Sequence, residues 1–155
     1  FCLSRGLGDV YKRQAELLLK RKQELIEKNK TEGLAFREEY KLKEGVTETD
    51  SGLLYEVITL GEGVKPILSD TVLCHYHGTN INGEVFDSSA LRKKPAAFPL
   101  ENVIKGWAEG VQLMPIGSKF RFVVKPEIGY KDREISKELG PYSTMIFEVE
   151  LMGIL

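Results

Sequence analysis

Residues 71–79 read Thr71-Val72-Leu73-Cys74-His75-Tyr76-His77-Gly78-Thr79. In an extended chain Val72, Cys74 and Tyr76 share one face, and Leu73, His75 and His77 share the other. That alternation predicts a half-buried strand over Thr71–Thr79. Working outward, Asn82-Gly83 is a hairpin signal leading into Val85-Phe86-Asp87. Upstream, Leu53–Leu60 reads as a strand closed by the turn Gly61-Glu62-Gly63. Downstream, Lys119–Lys125 alternates Phe120, Phe122 and Val124 and stops before Pro126, and Met145–Leu151 alternates Met145, Phe147, Val149 and Leu151. Between them, Asn102–Met114 reads as one short helix carrying Val103, Ile104, Trp107, Val111 and Met114, with Asn102 as its N-cap. Many short strands around one brief helix predict an α+β fold: an antiparallel β-sheet wrapped around a short α-helix.

The N-terminal third reads differently. Ala15–Lys43 is rich in Leu, Glu, Lys, Arg and Gln and predicts an α-helix. Ala15, Leu18, Leu19, Leu25 and Ile26 fall on one face, yet Glu27–Gly33 holds no apolar residue before Leu34, Ala35, Phe36 and Tyr40 resume a stripe. Such a broken stripe predicts either two docking surfaces or a partner chain. Gly45 is a stop signal. Residues 1–14 show no period, and Gly6 and Gly8 interrupt any helix, so they read as a non-native leader or, alternatively, as a frayed terminus. Thr47–Gly52 is polar and turn-like and marks a boundary. The expected organisation is a leader over 1–14, a helix and linker over 15–50, and a globular domain over 51–155.

Composition excludes several classes. The chain has 155 residues, 42% hydrophobic and 29% charged, with 22 Lys+Arg against 23 Asp+Glu. A near-neutral balance argues against a broad nucleic-acid footprint. No apolar run exceeds three residues, whereas a membrane span needs about 20 and a secretory signal roughly 7–15. Cys2 and Cys74 form neither a disulfide framework nor a zinc set, so cysteine usage fixes no compartment.

The residues that carry chemistry are mostly aromatic. Tyr76, Phe86, Phe98, Trp107, Tyr130 and Phe147 sit at strand ends or on the short helix, and Asp87 follows Phe86 directly. His75 and His77 supply only two ligands, opposite Cys74, so a metal centre is not expected. Ser88 and Ser89 lack a nucleophile-elbow context. No Gly-rich phosphate loop is present. A mid-strand Cys74 is expected to be buried and inert.

From Ser51 onward the chain resembles the FKBP-type peptidyl-prolyl cis–trans isomerases. The resemblance rests on Val72-Leu73-Cys74-His75-Tyr76-His77-Gly78, Gly83-Glu84-Val85-Phe86-Asp87-Ser88-Ser89, Phe98-Pro99-Leu100, the run from Val103 through Gly106-Trp107-Ala108-Glu109-Gly110 to Met114, Pro115-Ile116-Gly117-Ser118-Lys119, and Ile146-Phe147-Glu148-Val149-Glu150-Leu151. The helix running into Lys41–Val46 is similar to the helical region of bacterial Mip-like and FklB-like members, here truncated.

That resemblance implies an FKBP-like sheet and an apolar pocket for a proline ring. Tyr76, Phe86, Asp87, Phe98, Val103, Ile104, Trp107, Tyr130 and Phe147 match its lining, with Trp107 as floor. Leu139, in Leu139-Gly140-Pro141, matches the apolar tip of the loop after Tyr130. Tyr76, Asp87, Tyr130 and Phe147 are implied at the reacting amide, with the Ile104 N–H and the Tyr130 hydroxyl as donors. Implied partners are proline-containing peptides, unfolded protein clients and macrolide inhibitors, with a possible homodimer through the N-terminal helix. No cofactor is implied, and the location is left between bacterial cytoplasm and cell envelope. The chain departs from the family in Lys131, where Gly is usual, in the charged loop Asp132–Glu138, in Ala96, where some members carry an aromatic, and in His77, where Thr is common.

Overall fold

A computed structural model describes residues 2–89, 91–131 and 139–155. The elements follow chain order: α1 (Cys2–Tyr40), β1 (Val46–Glu48), β2 (Leu54–Thr59), β3 (Thr71–Thr79), β4 (Val85–Ser88), β5 (Ala96–Pro99), α2 (Lys105–Val111), β6 (Lys119–Val124) and β7 (Met145–Ile154). The strands form one antiparallel sheet in the order β1-β2-β6-β7-β3-β4, with β5 also paired to β3.

Alternation in β3 is as the sequence predicts. Val72, Cys74, Tyr76 and Gly78 are buried, and Thr71, Leu73, His75, His77 and Thr79 are half-buried. Its inner face joins β6 and β7 around α2, so that Leu53, Val72, Val111, Met114, Phe122, Val149 and Leu151 form a core with no measurable exposure. Close approach of α2 to β6 depends on Gly106 and Gly110, one helical turn apart. A Cβ on Gly110 would lie 2.6 Å from Phe122 Cε1, and one on Gly106 2.9 Å from Val124 Cγ1.

Several boundaries differ from the sequence reading. α2 is seven residues long and is capped at Ile104, not at Asn102. A 3-10 turn at Leu100–Asn102 comes first, and Val103 and Ile104 are extended, so Asn102 faces a different turn. β1 and β5 were not anticipated. β1 has only three residues, and β5 is the unpatterned Ala96-Ala97-Phe98-Pro99. Between β1 and β2 the expected turn survives, with Gly52 N–H donating to Thr49 C=O at 2.9 Å and Gly52 at φ +91°.

The long helix is also different from its prediction. It starts at Cys2 and continues through Gly6 and Gly8. Each glycine costs about 1 kcal/mol relative to Ala, but adding residues to an existing helix needs no new nucleus. Between Val10 and Asn29 its apolar side chains are largely exposed, with Tyr11 68% and Leu18 64% accessible. Domain contacts begin at Leu25, which approaches Gly140. The Tyr40 hydroxyl donates to Glu56 Oε2 at 2.8 Å, and Lys43 Nζ lies 3.3 Å from the same oxygen.

Candidate active site: an aromatic cavity beside the short helix

One row of the sheet places the site. Gly78 on β3 faces Asp87 of β4 on one side and Phe147 of β7 on the other. Tyr76 lies two residues away on the same inner face. Phe98 comes from β5, opposite Val72. Trp107 projects from α2, while Val103 and Ile104 come from the extended link before it.

The rings meet edge to face. Trp107 is the hub, 5.4 Å from Phe147, 5.5 Å from Tyr76 and 5.3 Å from Phe98 between ring centres, at interplanar angles of 89°, 84° and 70°. Phe86 meets Phe147 at 5.5 Å and 83°, and Tyr76 meets Phe98 at 5.5 Å and 64°. Such geometry sets positive ring edges against negative faces and contributes about 0.5–1.5 kcal/mol per pair beyond burial. Trp107 is 5% exposed and Phe147 4%, yet both line a cavity of about 650 Å³.

Every residue implied as pocket lining is brought together here except Leu139. Leu139 is a correction. It is 1% exposed and packs in the hydrophobic core, not on the cavity wall, because burying an isobutyl group there removes it from water completely. The charged stretch Asp132–Glu138 lies outside the described residues. Ala96 is half-buried on β5, against the core. Asn102, Lys105, Glu127, Gly129 and Lys131 also line the cavity.

The polar rim centres on Asp87. Tyr76 Oη donates to Asp87 Oδ2 at 2.7 Å, Arg92 Nη1 donates to Asp87 Oδ1 at 2.8 Å, and Arg92 Nη2 donates to Tyr76 Oη at 2.6 Å. The Arg92 guanidinium also sits 5.7 Å from the Tyr76 ring centre. Burial, and then the bond to Asp87, push the Tyr76 phenol above its ordinary pKa, so it stays a proton donor. Arg92 is a rim residue that sequence reasoning missed. It stands in an unpatterned turn, and the only available signal was that a carboxylate beside an apolar pocket needs a countercharge.

On the opposite wall, Tyr130 and Lys131 follow a 3-10 turn at Pro126–Ile128. Lys131 has φ 52°, in the left-handed region that Gly enters freely and other residues enter at a cost of roughly 1–2 kcal/mol. Glycine would adopt this conformation at lower cost than lysine.

The serine and histidine pairs belong to the scaffold. Ser89 Oγ accepts from the Tyr76 N–H at 2.7 Å and lies 3.1 Å from His75 Nδ1, and Ser88 Oγ lies 2.9 Å from His77 Nδ1. Neither serine lines the cavity, and Ser89 has no exposure. Cys74 is free and buried, and that burial pushes its thiol up to about 12.

The sequence pattern described as FKBP-type peptidyl-prolyl cis-trans isomerase matches residues 63–152. The chain belongs to the FKBP-type peptidyl-prolyl cis–trans isomerase family. A second pattern, the domain amino terminal to such isomerases, matches residues 5–57. The FKBP-type 22 kDa peptidyl-prolyl cis-trans isomerase of Escherichia coli is 42% identical over 97% of this chain and 71% of that protein. The outer membrane protein MIP of Legionella longbeachae is 42% identical over 91% of this chain and 62% of that protein. The crystal structure of FkpA from Escherichia coli superimposes with a TM-score of 0.91 at 33% identity, covering 98% of this chain and 71% of that one. The FKBP-like fold expected from the sequence is therefore correct. Among the described residues, no helix is long and apolar enough to cross a membrane.

Proposed function

We propose that this chain accelerates rotation about Xaa-Pro bonds in peptides and unfolded proteins, without covalent chemistry, and so assists folding. The observation that carries this reading is the cavity itself: rings meeting at near right angles over Trp107, with a tyrosine–aspartate–arginine rim. Prolyl rotation is held back by partial C–N double-bond character, a barrier of roughly 18–20 kcal/mol. Uncatalysed, it takes about 10–100 s. A turnover of about 1–10³ s⁻¹ needs a barrier lower by only roughly 3–7 kcal/mol, which requires no nucleophile and no proton transfer.

The planar amide is charge-separated and well hydrated, and the twisted amide is less so. Seating the proline on Trp107 and Phe147 strips water and disfavours the planar form relative to the twisted one. The Ile104 N–H and the Tyr130 hydroxyl hold the peptide backbone across the cavity. Asp87, fixed by Tyr76 and Arg92, contributes a permanent field at the rim without moving a proton.

The same cavity suits a macrolide with a proline-like ring. The exposed aliphatic side chains of α1 between Val10 and Leu25 suit a second copy of the chain, which light scattering on the whole chain tests. A relative named as an outer membrane protein supports a location in the cell envelope. The deciding experiment is a proline-isomerisation assay on a short Xaa-Pro peptide, with catalysis expected and blocked by an immunosuppressive macrolide. Saturable peptide binding with no acceleration at micromolar protein would instead establish a proline-peptide-binding chaperone module.

A further inference from the structure

We propose that the C-terminal part of α1 is a positioning element of the proline cavity: it braces the wall that carries Tyr130 and so sets affinity for the peptide. This rests on the cavity being the peptide site, as proposed above.

Asn29, Lys30, Gly33 and Arg37 of α1 meet the domain along one helical face, on the side of this wall. Asn29 Nδ2 donates to Pro141 C=O at 2.8 Å. Lys30 Nζ lies 4.2 Å above the centre of the Tyr142 ring. Gly33 is buried against Thr144. Arg37 lies 4.0 Å from Glu127, and its Nε donates to Gly33 C=O at 3.2 Å. Three of these lie in or beside the stretch without apolar residues that breaks the hydrophobic stripe. The helix is docked there by polar contacts and by one close approach.

Both ends of this contact line lead to the same wall. Glu127 lines the cavity, as do Gly129, Tyr130 and Lys131. Tyr142 N–H donates to Lys131 C=O at 2.6 Å, and Lys131 N–H donates to Pro126 C=O at 3.0 Å. The segment from Pro126 to Lys131 is thus held at Glu127 through Arg37, and at Lys131 through Tyr142 and Lys30. Lys131 and Tyr142 both occupy left-handed backbone, at φ 52° and 55°, which persists only where the surroundings impose it. α1 supplies part of that constraint.

Gly33 reports how close the docking is. Glycine inside a helix is disfavoured, and here it is required. A Cβ at this position would stand 2.4 Å from Thr144 Oγ1 and 3.3 Å from Thr144 Cβ. Thr144 is 2% exposed, and its β-branched side chain is stiff at χ1, so the neighbour offers no long flexible end to move.

The test uses the whole chain. In Gly33→Ala, KM for a short Xaa-Pro peptide is expected to rise about three- to tenfold with kcat within about twofold, the signature of lost binding shared by ground state and transition state. The peptide Kd, read from Trp107 fluorescence, should weaken by the same factor. Adding Thr144→Ala removes the clashing oxygen and should restore both values. Asn29→Ala with Lys30→Ala introduces no clash, deletes the anchors on Pro141 and Tyr142, and should reproduce the loss; it decides the matter if Gly33→Ala does not fold. Unchanged KM and Kd in these variants overturn the brace alone. Absence of both catalysis and peptide binding in the unaltered chain overturns the cavity reading itself, and the brace with it.

Discussion

The cavity has two walls built on different principles. One is made by β3, β4, β5, β7 and α2, whose rings Tyr76, Phe86, Phe98, Trp107 and Phe147 lock edge to face. The other is the segment Pro126–Lys131, a 3-10 turn ending in a left-handed lysine and tied to distant residues. The first wall holds its own shape. The second takes its shape from what touches it. In the proposed reaction the ring-lined floor would hold the proline ring, and the supported wall would hold the backbone that twists.

This contrast can be broken most sharply at Cys74, directly behind the aromatic wall. With its thiol pushed up to about 12 by burial, little thiolate is present at pH 8, and the same burial keeps reagents away from the sulfur. In a Cys2→Ser chain, a thiol reagent should leave Cys74 unmodified until denaturant is added. Rapid labelling of the folded protein would mean that this wall opens readily.

Trp107→Ala comes next. Removing the hub of the ring cluster should cost about 3–5 kcal/mol of stability and at least a hundredfold in kcat/KM, measured by thermal melting and peptide assay. A variant that keeps its activity would show that the floor does not position the proline.

Lys131→Gly probes the supported wall. Relief of the left-handed backbone should stabilise the fold by about 1 kcal/mol, a rise of a few degrees in Tm for a chain of this size. The opposite sign would indicate that contacts of the lysine side chain outweigh the backbone cost.

The smallest effect is expected at Glu56, where α1 ends on the sheet. The hydrogen bond from Tyr40, followed by contacts with Lys43, holds its carboxyl below the ordinary 4.5. A depressed folded pKa stabilises the fold above about pH 4.5, and that contribution is lost as pH falls through the folded value. Glu56→Gln should therefore cost about 1 kcal/mol at pH 7, with the two stability curves converging in acid. Parallel curves across that range would remove Glu56 from the account.

Legibility in the sequence follows the same division. Strong alternation in β3 and β7 and the Trp107 helix place one wall before any coordinates, because side-chain period and burial are local consequences of strand and helix geometry. The resemblance then adds Tyr130 and the Ile104 backbone. The contacts that hold the other wall in place were not legible. Lys30 on Tyr142 and Asn29 on Pro141 join residues more than a hundred positions apart, and neither pair carries a periodic signal. β1 and β5 escaped for a different reason: they are too short to show a period, and they exist because β2 and β3 offer them hydrogen-bonding edges. Leu139 was misplaced because an apolar residue near a pocket and one beneath it look alike in sequence.

The position of β7 carries a consequence for how the molecule is made. It is synthesised after every strand it joins, yet it lies in the middle of the sheet, between β6 and β3. Emerging chain on the ribosome therefore has a gap at its centre, and the sheet closes only when this strand slots in from both sides. Phe147 travels with it, so the catalyst's own cup is finished at the same moment as the fold that supports it.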